Sequence, residues 1–135
     1  MSTLQVMKKG WIGIALCVGL VALPLAARAD ASAEVATAAQ HAGFSAAAKS
    51  LMVARMHLHH TLNCLVGPKG LGFYSKAGNP CAKEGHGAIP DTTDAHAKRE
   101  LEHLAYRTRM ALRGRKLPAM KKEAAMIEAA LKKAP

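Results

Sequence analysis

The stretch Met52-Val-Ala-Arg-Met56-His57-Leu-His59-His60-Thr-Leu-Asn-Cys64 sets two methionines, three histidines and a cysteine within thirteen residues. Imidazole suits copper, zinc and nickel, whereas a thioether selects for soft Cu(I). With Met52 at the zero angle of an α-helix, Met56, His59, Asn63 and His60 fall at about 40°, 340°, 20° and 80°. They form one band, beside the sector of Leu51, Leu58, Leu62 and Leu65 and not within it. Met56 precedes His59 by three residues and His60 by four, and His57 precedes His60 by three. Those spacings bring side chains one helical turn apart within reach of a single ion.

The expected site is therefore a metal centre on Met56, His59 and His60, with His57, Met52 and His86 in reserve. Copper is favoured, because the band mixes thioether with imidazole and no Asp or Glu lies between Glu34 and Glu84. The same residues also admit a plainer account: methionines beside a leucine stripe fill gaps in cores, and histidines at a helix edge sit half solvated. His96, His103 and Met110 recur every seven residues. Neighbours in that line are about 10.5 Å apart along a helix axis, too far for one mononuclear site. A solvated face is the expectation for them.

Cys64 and Cys81 are predicted to form a disulfide. The bridge would close a loop of about 18 residues and stabilise the fold by roughly 3 kcal/mol. An oxidised Cys64 offers no thiolate to a metal or a substrate. Between and beyond the cysteines, from Gly67 to Pro90, six glycines and three prolines predict turns in place of regular helix. Gly67-Pro-Lys-Gly-Leu-Gly72 is not a phosphate loop, since Lys and Ser/Thr do not follow its last glycine and no strand precedes it.

The compartment is legible at the N-terminus. Lys8 and Lys9 precede an apolar run from Trp11 to Ala26, and Ala27-Arg28-Ala29 places small residues where a signal peptidase reads, predicting cleavage between Ala29 and Asp30. Export to the periplasm is the expectation, and an oxidising compartment agrees with the paired cysteines. Loss of Lys8, Lys9 and Arg28 lowers the formal charge from +10 to +7. Outside the cytoplasm a basic balance points away from nucleic acid and toward an acidic protein, an anionic membrane surface or solubility.

The elements that must hold these residues are helical. Alanine is abundant after residue 30, Val and Ile are scarce, and four aromatic residues remain there, which favours helix over strand. A single domain over residues 30–135 is expected, built as a small antiparallel bundle of three to four helices. The first helical region spans 32–63, with Gly43 and Ser45 as its candidate break, and a Gly-rich loop covers 64–90. A helix over 92–113 follows, with N-cap residues in Asp91-Thr-Thr-Asp94, and a last helix over 118–133 opens at Pro118. Its stripe is Leu117, Met120, Ala124, Ile127 and Leu131; that of its predecessor is Ala97, Leu101, Leu104, Ala105, Thr108 and Leu112.

Two further functions fit such a bundle. Haem could be held noncovalently with His60 or His57 and a methionine as axial ligands, but covalent attachment is excluded for want of Cys-x-x-Cys-His. Alternatively a cofactor-free module could dock an acidic partner or membrane surface through the last helix, where Lys121, Lys122, Lys132 and Lys133 flank the apolar stripe. No enzyme is expected: no Ser/His/Asp order, carboxylate pair or redox Cys-x-x-Cys is present.

Overall fold

The structure is a computed structural model and describes residues 31–134. The expected leader and the cleavage predicted between Ala29 and Asp30 lie outside the described residues. Among the described residues there are five helices in order: α1 Ala31–Ala47, α2 Leu51–Val66, a single turn α3 Ala88–Asp91, α4 Ala95–Leu112 and α5 Leu117–Leu131. A 3-10 turn covers Ser75–Ala77, and no strand occurs among the described residues. Helix α1 packs on α2 and α5, and α4 packs on the same two, so the four long helices close a ring with α3 wedged against α1, α2 and α4. None of these helices is long and apolar enough to cross a membrane.

The leucine stripe of α2 faces inward, with Leu58, Leu62 and Leu65 at 1% exposure or less. It meets Leu101 and Leu104 of α4 and Met120, Ile127 and Leu131 of α5 in one apolar cluster. On α1 half of the buried positions are alanine, Ala38, Ala39 and Ala42. Small side chains bring α1 close to its neighbours, and two hydroxyls use that closeness. Ser45 of α1 donates to Ala54 O of α2 at 2.9 Å, and Thr61 of α2 donates to Ala38 O of α1 at 3.2 Å. Both hydroxyls are fully buried, where a hydrogen bond left unmade costs more than one made gains.

The first helical region does break, but at residues 48–50 and not at Gly43. Ser50 stops the chain as an N-cap, its hydroxyl accepting from the Val53 N–H at 3.3 Å, a bond that satisfies one of the free N–H groups of the new helix. Gly43 instead stays in α1 where α5 comes close: a Cβ there would lie 2.9–3.2 Å from the Glu128 carboxyl group. Helix α2 also runs past Asn63 to Val66, ending at Gly67 with φ 69°.

The loop after α2 is more ordered than its composition predicts. The Cys64–Cys81 disulfide is formed, and Asn63, fully buried, fastens the same segment. Its side-chain amide donates to Tyr74 O at 3.0 Å and Gly78 O at 2.6 Å, while its oxygen accepts from Tyr74 N–H at 2.9 Å. Farther along, Gly67 and Gly87 pass backbone to backbone; a Cβ on Gly67 would lie 1.6 Å from His86 O. Only glycine fits there.

Candidate metal centre

The hydroxyl bridges Thr61–Ala38 and Ser45–Ala54 bracket a stretch of each helix. Within that bracket stand His41 on α1 and His57 and His60 on α2, all half-buried. Nδ1 of His41 lies 3.1 Å from Nδ1 of His57 and 3.3 Å from Nδ1 of His60. One ring nitrogen from each of the three can be chosen so that all lie within 4.8 Å of one another. An ion held about 2.0–2.1 Å from each nitrogen at tetrahedral angles would set them about 3.3–3.4 Å apart. The two separations from His41 are already close to that value, so the cluster could hold a metal ion.

Proton placement supports lone pairs on the inner side. His60 Nε2 lies 2.6 Å from Ala77 O, and a carbonyl only accepts, so Nε2 carries the hydrogen of the neutral ring. Nδ1 of His60 then presents a lone pair toward His41. A backbone carbonyl fixing the outer nitrogen of a ligand histidine is the usual arrangement around bound metals. A single proton on His41 Nδ1 is well aligned for only one of its two nitrogen neighbours, whereas a cation accepts from all three.

The electrostatics keep the His41 and His57 rings available. Burial, then the nearby His60 and His57 rings, lowers the His41 pKa from 6.5 to about 4. Burial and His60 also lower that of His57. Phe44 closes the apolar side, its ring centroid 5.6 Å from His41 and 5.3 Å from His57. Neutral imidazole is the form that binds a metal.

The structure divides the residues that the sequence grouped together. His57 and His60 converge, and their third partner is His41, from another helix. His59 turns away and packs on Tyr74, with ring centroids 4.6 Å apart. Met52 and Met56 share with His59 the lining of a separate open hollow. His86 is 84% exposed and lies beside Asp91, with Nδ1 3.2 Å from Oδ1. His41 stands alone among alanines in the sequence; its one signal is its place on the polar edge of an otherwise small-residue helix.

Elsewhere, His96 and His103 are exposed, as expected of a solvated face. They nevertheless border a groove with Arg99, Arg107 and Lys133. No family model, curated protein or solved structure matches this chain.

Proposed function

We propose that this is an exported metal-binding protein, copper foremost, which buffers or carries the ion through His41, His57 and His60. The single observation that carries the reading is the convergence of three ring nitrogens from two helices within 4.8 Å. An all-imidazole set suits Cu(II), Zn(II) and Ni(II), and among divalent ions copper binds such sites most tightly. Periplasmic location is supported by the leader pattern at Lys8 to Ala29 and by a disulfide of the kind that persists in oxidising compartments. Rings with centroids 4.7–5.7 Å apart leave no slot for a flat macrocycle between them, which favours a bare ion over haem.

Titration of the purified protein with Cu(II) and with Zn(II) tests the reading. One equivalent is expected to bind, His41→Ala to weaken it at least about tenfold, and the triple alanine variant to lose it. Equal affinity of His41→Ala and wild type would remove the proposal. Metal analysis of protein taken from its own compartment identifies the ion.

One observation favours a second reading, a binding module for an acidic partner. The groove between α4 and α5, about 540 Å³, is lined by His96, Arg99, His103, Lys133 and an Arg107 already paired with Glu123, against one lining carboxylate, Glu100. Salt-sensitive binding of an acidic peptide, unchanged by chelator, would support it.

A further inference from the structure

The methionines that the His41 site leaves out are not core. Met52 is 78% exposed and Met56 43%, whereas Met120 of α5 is 2% exposed and serves as packing. Exposed thioethers on a helix otherwise sorted into buried leucines and polar residues have no packing role to explain them. Both line the hollow outside α2 together with His59, and Tyr74, Lys76 and Ala77 form its far wall.

His59 is the uncommitted histidine of the cluster. Its Nδ1 is buried without a hydrogen-bond partner, whereas His60 is engaged at both nitrogens. Met56 lies one turn before His59 and Met52 one turn farther, and all three line the one hollow.

We propose that Met56 and His59 form a second, soft site that takes Cu(I), with Met52 as an outer thioether that receives or hands on the ion. A thioether with an imidazole, in a hollow without carboxylates, matches a soft monovalent ion and not Zn(II). Arg55 and Lys76 line the same hollow. Their positive charge opposes a divalent ion about twice as strongly as a monovalent one at equal distance. The two sites therefore differ in both donor type and charge preference. The proposal rests on no property of the His41 trio and survives if that trio binds nothing.

The test uses the whole exported chain carrying His41→Ala and His57→Ala, so that the trio is disabled, titrated anaerobically with Cu(I). Methionine-methyl NMR is expected to show Met56, and more weakly Met52, moving with the first equivalent, while Met126, 41% exposed on α5, stays still. Competition with a Cu(I) chelator is expected to show at least a tenfold loss of affinity in Met56→Leu and in His59→Ala, a smaller loss in Met52→Leu, and unchanged weak Zn(II) binding in each. Both leucine replacements fall at exposed positions, so their folding is checked by melting. Met126 shifting in parallel with Met56, or Cu(I) affinity unaltered by both Met56→Leu and His59→Ala, would overturn the second site.

Discussion

His60 Nε2 lies 2.6 Å from Ala77 O, and the two residues stand four positions before the two cysteines of the disulfide, Cys64 and Cys81. The covalent rung and the hydrogen-bonded rung thus join the same helix to the same loop. Asn63, between His60 and Cys64 on the helix, adds three hydrogen bonds to the same loop, one to Gly78 and two to Tyr74.

From that relationship, opening the disulfide should act on both stability and metal affinity. The Cys64→Ser, Cys81→Ser variant is expected to lose about 3 kcal/mol and to bind Cu(II) or Zn(II) more weakly, because Ala77 no longer holds the His60 ring in place. Denaturant melts and metal competition on the same sample check this. Unchanged melting would show that the loop does not depend on the bridge.

Asn63 separates packing from orientation. It is fully buried and makes three hydrogen bonds to the loop. Asn63→Ala should cost about 1–3 kcal/mol, since it removes the hydrogen bonds that tie the partly buried Tyr74 and Gly78 backbone groups to α2. Weaker metal binding should accompany the loss under conditions where the variant is still folded by circular dichroism.

The pH dependence of stability has two opposing parts. His41 falls from 6.5 unfolded to about 4 folded, so the unfolded chain binds more protons between these values. Its contribution is complete above pH 6.5 and is lost as pH falls toward 4; His57 acts in the same direction. Glu34 has the opposite sign. Burial, with Asp91 and Glu84 nearby and against a 2.6 Å hydrogen bond from Gly87 N–H, raises its carboxyl from 4.5 to about 7. Stability from Glu34 is therefore complete below pH 4.5 and is lost as pH rises through 7. Glu34→Gln should remove the second part, raising the melting temperature at pH 8 by a few degrees, for about 1 kcal/mol, and leaving a melting temperature that falls more steeply below pH 6.5. A variant less stable than wild type at pH 8 would contradict this assignment.

Two glycine substitutions should differ in magnitude for a steric reason. Gly67→Ala places a methyl group 1.6 Å from a backbone oxygen at φ 69° and should destabilise by more than about 2 kcal/mol. Gly43→Ala meets only the end of the Glu128 side chain, which can swing aside, while alanine gains up to about 1 kcal/mol of helix propensity. Gly43→Ala is expected to be neutral or mildly stabilising. Thermal melts of the pair decide it.

Local pattern alone determined much of this protein. The 3.6-residue period picked out the buried faces, with Leu101, Leu104, Ala105 and Thr108 on α4 and Met120, Ala124, Ile127 and Leu131 on α5. Helix class, the Cys64–Cys81 pairing and the Glu128–Lys132 ion pair at 2.6 Å all follow from neighbours in the chain or from the placing of two cysteines either side of a Gly-rich loop. The end of α1 was not legible at Gly43, because whether a glycine breaks a helix depends on what packs against it.

The candidate site was half legible for the same reason. Spacing on one helix shows which residues share a broad face, and it gathered His57, His59, His60, Met52 and Met56. It does not show that His59 packs on Tyr74 while His60 points at Ala77, since both residues on the receiving side come from the loop after α2 and its short 3-10 turn. Nor does it show His41. That ring joins the others only because small alanines and the reciprocal Ser45 and Thr61 hydrogen bonds fix how close α1 lies to α2 and in what register. Donor types were written in the chain; their convergence was decided by the packing of two helices.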